Sequence, residues 1–516
     1  MESILDKLCA RPQRSIICLG LLLLLAGNWI LPLTDRDETR FSEASREMIQ
    51  RSDYIVPWFN DHWRLYKPAL IYWCQIASYR VLGVNDFAAR LPSALFTTGA
   101  ALLLVRWGRK VMDAKTGFLA GAMFLTGFHV AVIGRIATAD LALVFFFTLA
   151  AWSGWELTRP AQTFPRKWWW IFYLALTLGF LAKGPVAWLP LPAMILGRAL
   201  RSNSFRLPFK ETAVGLILAV ALIGWWAIPA LVQTQGEFWV VGMDEQVYQR
   251  AVSVNNSHGV AGLLGFCLLL PVYFLLFFVS FFPWSVRKPE KRPVGPRLEG
   301  FGGWLVDFYW SWIMWPVRFV LYVPIQIYRW WPARRRDDFG WYLLTVAAIV
   351  FAVFSVVKTK LPHYTMPAFP LIALWLARQI AGDAQLPAWF GKRFVAMVVF
   401  TLVLTLGGFS FVRGHLLTVN LWQATRSYVK PETKIGSFGY VEPSVVWKFR
   451  DVTTNHVALG DEKLAKDFLT NTPPFILILP TKDLATLPDP GGLKIAVHGF
   501  DMVKFKDWEL TAIVRQ

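Results

Sequence analysis

Residues 16–33, IICLGLLLLLAGNWILPL, run straight into TDRDETRF at 34–41. The first stretch is long enough to cross a hydrocarbon core of about 30 Å. Lys7, Arg11 and Arg14 precede it, which places the N-terminus on the cytoplasmic side. A secretory signal has a shorter apolar core and a small-residue cleavage site. Here the run ends in Leu31-Pro32-Leu33-Thr34-Asp35, so an uncleaved span is expected. The acidic and basic residues that follow then lie on the outer side.

Composition agrees with a chain that crosses a membrane many times. Of 516 residues, 55% are hydrophobic and 17% charged, with a mean hydropathy of +0.42. Average globular chains carry about 25% charged residues. The shortfall and the long apolar runs exclude a purely soluble enzyme, a disordered chain and a transmembrane β-barrel. The 27 Trp suit many membrane–water boundaries. The net charge of +19 reads as positive-inside loops that touch anionic membrane lipids. No basic soluble face is evident, so no nucleic acid partner is expected. Cys9, Cys18, Cys74 and Cys267 have no metal-ligand spacing and imply no disulfide framework.

Charge parity sets the expected topology. Arg106, Arg109 and Lys110 form the next cytoplasmic cluster, so only one of the stretches 67–82 and 88–105 crosses. The shorter, 67–82, carries Arg80 and is taken as interfacial. Further spans are expected near 115–133, 140–157, 168–182, 185–199, 212–232, 260–286, 340–357, 364–379 and 394–412. With 16–33 and 88–105 that makes eleven. Residues 304–331 are aromatic but interrupted by Asp307, Pro316, Arg318 and Pro324, the pattern of a surface helix. Arg334–Arg336 then face cytoplasmic headgroups, and Trp168–Trp170 read as an interfacial belt.

The expected fold is an all-α polytopic membrane protein with a small α/β domain at its C-terminus. Residues 1–413 form the membrane domain, with an outer loop at 34–87 and a basic cytoplasmic insertion at 287–339. Residues 414–516 carry short β-rich runs such as Phe475–Leu479 and form a soluble outer domain.

Ionisable residues gather at outer span ends: Asp37 in the first loop, Lys67, Asp140, Lys183, and the group Lys358, Lys360, His363 and Tyr364. Helix capping accounts for Asp37 alone, and snorkelling accounts for each lysine alone. Neither explains why carboxylates share that side, and such groups at membrane depth are functional candidates. A sugar on a polyprenyl phosphate suits them. Breaking its sugar–phosphate bond builds negative charge on phosphate, which lysine or arginine must neutralise. The acceptor hydroxyl needs a carboxylate base within hydrogen-bond reach. Lys67, Lys183 and Arg250 suit the first role and Asp37 the second. No Gly-rich phosphate loop opens a helix, so no nucleotide-sugar site is expected.

Asp37-Glu38-Thr39-Arg40-Phe41, Tyr66-Lys67-Pro68 and Trp73 resemble the first outer loop of GT-C glycosyltransferases. Bacterial lipid A aminoarabinose transferases and protein O-mannosyltransferases are the nearest in pattern. Ala88–Ala94, Thr138-Ala139-Asp140, Leu181–Pro185 and Lys360–Pro367 continue the resemblance over roughly 15–380. It implies an inverting transfer, on the periplasmic face of a bacterial inner membrane, from an undecaprenyl-type phosphosugar to an envelope lipid or glycan. It also implies the roles. Asp37, Glu38 and Asp140 are the expected catalytic residues. Arg40, Lys67, Lys183, Arg250, Lys360, His363 and Tyr364 are the expected donor-phosphate contacts.

The chain departs from the pattern in one respect. Aminoarabinose transferases have a Glu before the Lys-Pro lysine and a His in a later outer loop, which together can hold metal. Tyr66 and Gln246 stand there, and neither is a good zinc ligand. No zinc is therefore expected, and aminoarabinose is not the expected sugar; no other cofactor is implied, and dependence on a divalent cation stays open. A lipid-linked sugar transporter, a protein O-glycosyltransferase and an envelope scaffold are the competing readings. The transporter would show internal repeats and midplane polar groups, which this chain lacks. A scaffold leaves Asp37, Lys67, Asp140 and Lys183 without a task.

Overall fold

The computed structural model describes residues 2–33, 36–159, 164–199, 209–249, 272–285, 337–357, 359, 361–382, 388–450, 456–487 and 491–516. The chain divides into two compact units. One comprises Met1–Leu23, Leu95–Gly134 and Asp140–Val398, the other Leu24–Ala94, Arg135–Ala139 and Val399–Gln516.

Among the described residues, five helices are long and apolar enough to cross a membrane: Asp86–Val111, Asp140–Thr158, Phe209–Gln233, Asp338–Val356 and Trp389–His415. They coincide with five of the expected spans. The helix Arg166–Lys183 also covers the expected 168–182. Those that remain differ in detail. The first apolar run is helical only over Pro12–Leu25, and the chain turns at Gly27, whose φ is +73°. The stretch expected at 115–133 is two helices, Ala114–Leu125 and Phe128–Ile133. The break falls at Thr126-Gly127, where Phe128 N donates to Phe282 O at 2.9 Å instead of continuing the first helix. Prolines fragment two more. Pro185–Trp188 and Pro362–Ala368 are 3₁₀ turns leading into the helices Pro190–Ala199 and Phe369–Ala381. Of the span expected at 260–286, residues 260–271 and 286 lie outside the described residues and Val272–Ser280 is helical; all of 304–331 and Arg334–Arg336 also lie outside.

In the first unit, small residues let helices approach closely, as expected in lipid. A Cβ on Gly117 would lie 2.4 Å from Val105 O, so only glycine fits where Ala114–Leu125 crosses its neighbour. An aromatic layer of Trp107, Trp152, Trp155 and Phe339 closes the same unit. The helix Phe209–Gln233 leaves Ile217, Trp225, Ile228 and Val232 exposed, an apolar surface that water would not tolerate at this extent.

The second unit holds the loop expected on the outer side and the C-terminal domain. Arg36–Arg51 is a helix with one buried face, including Phe41, Ala44 and Met48, packed on Leu70–Leu82 through Ile71, Tyr72 and Ile76. Between them is a hairpin, β1 Trp58–Phe59 and β2 His62–Trp63. Its two-residue loop, Asn60-Asp61, has φ of 53° and 67°. These left-handed values match the twist of a tight hairpin, and Asn and Asp tolerate them best after glycine.

The C-terminal domain is one five-stranded sheet, made of β3 Lys434–Phe438, β4 Ala458–Gly460, β5 Phe475–Pro480, β6 Leu493–Asp501 and β7 Lys506–Arg515. The order is β4-β3-β5-β7-β6. β3 runs parallel to β4 and β5, while β7 is antiparallel to β5 and β6. Every residue of β5 is buried, because helices cover both faces. Ile476 and Ile478 face Leu417, Leu421 and Val445, whereas Phe475, Leu477 and Leu479 face Ala465 and Phe468. The small α/β domain expected from the β-rich runs is present.

Candidate active site

The helix Arg36–Arg51 opens with Asp37 and Glu38, where the positive end of the helix dipole favours carboxylates. Successive helix positions point about 100° apart, which separates the two acids. Asp37 is two-thirds exposed, with Arg64 Nη2 at 3.9 Å. Glu38 turns inward and is buried. Arg90 Nε and Nη2 donate to its two oxygens at 2.7 and 2.8 Å, and Ala137 N donates to Oε1 at 3.0 Å. Arg90 also donates to Asn28 O at 2.9 Å and Pro32 O at 3.2 Å. One guanidinium thus ties the end of the first apolar run to the start of the outer-loop helix.

Neighbouring arginines complete this group. Arg36 pairs with the buried Glu442 at 2.9 Å. Arg40 is half-buried, and burial followed by the like charge of Arg64 lowers its pKa. Arg135 is pushed down to about 10, first by burial and then by Arg90; its Nη1 donates to Ala26 O at 2.9 Å. Lys67 lies half-buried in the turn before Leu70–Leu82.

A second group belongs to the other unit. Asp140 starts one helix and Lys183 ends the next, Arg166–Lys183. The two helices pack as neighbours joined by a short connection, so those ends meet. Lys183 and Asp140 form an ion pair, each only 13% exposed. His363 Nε2 lies 3.8 Å from the same Asp140 oxygen, and Lys183 Nζ lies 5.7 Å from the centre of the Tyr364 ring. Beside them His129 Nδ1 and Ser280 Oγ share a hydrogen bond of 2.9 Å.

Four residues singled out from the sequence therefore come together: Asp140, Lys183, His363 and Tyr364. Asp37, Glu38 and Arg40 share one helix. Arg250, Lys358 and Lys360 lie outside the described residues. Among the described residues, no group of three His, Cys, Asp or Glu is placed to hold a metal ion. Sequence reading missed Arg64 and Arg135, and quoted Arg90 only within a motif. The signal was present for Arg90 and Arg135, arginines set among apolar residues at membrane depth. For Arg64 there was none, because its aromatic neighbours assemble only in the fold.

Residues 66–227 match the family described as dolichyl-phosphate-mannose-protein mannosyltransferase. An undecaprenyl phosphate-α-4-amino-4-deoxy-L-arabinose arabinosyl transferase of Pectobacterium carotovorum is 27% identical over 413 residues, 77% of this chain and 66% of that protein. Its counterpart from Pectobacterium atrosepticum is 29% identical over 388 residues, 74% of this chain and 61% of that protein. The chain thus spans under two thirds of the length of these relatives. ArnT from Cupriavidus metallidurans, crystallised bound to undecaprenyl phosphate, superposes with a TM-score of 0.71 at 16% identity, covering 96% of this chain and 97% of that one. The chain has the polytopic GT-C fold of that protein, and in sequence it is similar to glycosyltransferases that draw on polyprenyl-phosphate sugars.

Proposed function

We propose that the protein moves a monosaccharide from an undecaprenyl-type phosphate donor to a hydroxyl or phosphate of an envelope acceptor such as lipid A or another glycolipid, with inversion. The observation that carries this is the likeness over three quarters of the chain to transferases whose names state an undecaprenyl phosphate sugar. The apolar helices fit a multi-pass protein of the inner membrane. In this reading the N-terminus is cytoplasmic, residues 1–413 form the catalytic membrane domain, and residues 414–516 are periplasmic.

Asp37 accepts the proton of the attacking hydroxyl, which its exposure permits. Glu38 acts through position, because its oxygens already serve Arg90 and Ala137 N. Lys67, Lys183, Arg250 and Lys360 are the groups that would offset charge on the departing phosphate, and His363 and Tyr364 stand beside Lys183 and its partner Asp140. In the resting state Asp140 holds Lys183 in place; an arriving phosphate competes for the same ammonium.

The test is mass spectrometry of lipid A, envelope glycans and polyprenyl-phosphate sugars from cells with and without the gene. Wild type should restore one sugar to one acceptor, and Asp37→Asn should not. Restoration by Asp37→Asn, or an unchanged profile on deletion, would overturn the reading.

A further inference from the structure

Within the second unit, the β1–β2 hairpin and the β4 end of the C-terminal sheet enclose a cleft of about 610 Å³. That lies inside the range of about 300–1,000 Å³ typical of small-molecule sites. Its lining has an unusual balance. Arg40 and Arg64 both face it, and Asp467 is the one carboxylate among its described lining residues. Trp63 and Tyr66 line it with rings left partly exposed.

Arg64 carries the further weight. Its side chain is 5% exposed, and its Nε is buried with no hydrogen-bond partner among the described residues. Among the described residues its carboxylate contact is Asp37, long at 3.9 Å. The guanidinium also neighbours the buried hydroxyl of Tyr72, and lies 4.9 Å from the ring centre of Phe41 and 5.7 Å from that of Tyr66, none of which is an anion. A buried cation with an idle donor is costly unless an anion arrives to use it. Arg40, beside it, is disfavoured as a cation by burial and by Arg64 itself. A bound anion relieves both. The fork of an arginine suits phosphate or carboxylate oxygens.

We propose that this cleft binds the acceptor, and that the acceptor is a saccharide bearing a phosphate or carboxylate group held by Arg40 and Arg64. This rests on the transfer reading above and assigns Arg40 to the acceptor instead of the donor phosphate. The C–H faces of a sugar ring pack on Trp63 and Tyr66, whose broad apolar surfaces carry polar edges. Asp467, Asn471 and His62 supply partners for hydroxyls at the walls.

The test uses the full chain in lipid nanodiscs and two separate binding measurements. Saccharide binding is read by saturation-transfer NMR with N-acetylglucosamine 1-phosphate, galacturonic acid and uncharged N-acetylglucosamine. Donor-side binding is read with undecaprenyl phosphate. The charged sugars should bind at least about tenfold more tightly than the neutral one, the scale of one charge-assisted hydrogen bond. The phosphate and carboxylate probes distinguish which anion is preferred. Arg64→Gln should remove that preference and leave undecaprenyl phosphate affinity within about twofold, as for sites without shared contacts. Because Arg64 is buried, Trp63→Ala serves as a second variant; it should weaken all three sugars.

Equal binding of charged and neutral sugars would overturn the proposal. So would a loss of undecaprenyl phosphate affinity in Arg64→Gln as large as the loss of sugar affinity. Failure of the wild type to bind undecaprenyl phosphate, with charged sugars still bound, would instead overturn the transfer reading and keep the anion-reading cleft.

Discussion

Glu38 and Arg90 form a two-point ion pair, Nε to Oε1 at 2.7 Å and Nη2 to Oε2 at 2.8 Å, with both side chains at most 5% exposed. Removing one partner strands a buried charge, which costs about 3–5 kcal/mol. Glu38→Gln should therefore lower the thermal midpoint of the detergent-purified protein sharply. A midpoint equal to wild type would show that the pair contributes little.

Asp37→Asn should behave in the opposite way. An exposed site of this kind changes stability by only about 0.5 kcal/mol. Loss of a general base slows transfer by about 10²–10⁴-fold. Turnover of purified protein with undecaprenyl phosphate affinity measured in parallel checks both. Normal turnover would remove Asp37 from the role of base.

Lys183 and Asp140 are each only 13% exposed and neutralise one another. Lys183→Met leaves a partly buried carboxylate and should depress folded yield. The double variant Lys183→Met with Asp140→Asn removes both charges and should recover yield but not transfer. Monodispersity on size exclusion and turnover are the two readouts. Recovery of transfer in the double variant would mean that neither charge touches the donor.

Glu47 introduces a pH dependence. Burial first, and then the neighbouring Glu43, raises its pKa above the usual 4.5. The folded chain thus holds this proton more tightly than the unfolded chain does. In the window from 4.5 up to the raised value, the folded state binds more protons, so stability falls as pH rises. Glu47→Gln carries no such titration. Thermal midpoints across pH 4–8 should show the wild type losing ground to the variant as pH rises through that window. Parallel curves would refute the shift.

Asn60 joins the outer-loop hairpin to the C-terminal domain. Its Nδ2 donates to Val457 O at 2.8 Å, and Val457 N donates to its Oδ1 at 2.9 Å. Asn60→Ala leaves two backbone groups unpaired, at about 1–3 kcal/mol each if they stay dry. Hydrogen exchange should rise at Val457 and along β4. Unchanged protection there would mean that water replaces the amide without loss.

Much of this was legible along the chain. The apolar runs located the five long helices, and Asp37, Lys67, Asp140 and Lys183 stood out because charge at membrane depth is rare. What a linear reading hides is direction and partner. Asp37 and Glu38 are adjacent in sequence and equal in charge, yet a helical turn sends one outward and one into Arg90. Asp140 and Lys183 were both visible, but their pairing depends on how two helices lie against each other. The span expected at 115–133 broke at Thr126-Gly127 because a distant carbonyl, Phe282 O, takes over the next N–H. The cleft was invisible, since its walls come from residues some 400 positions apart.

The Asn60–Val457 bridge also bears on how the protein avoids its own kind. Val457 leads into β4, which lies at the rim of the sheet and has only three residues. A rim strand presents unsatisfied N–H and C=O groups that invite a strand from another molecule. Asn60 takes up the backbone N–H and C=O of Val457, the residue just before this strand, with a side-chain amide, which copies the donor–acceptor pattern of a peptide but cannot be extended into a further strand. A C-terminal fragment cut away from the hairpin should therefore leave Val457 open beside the rim strand and associate more readily than the full chain.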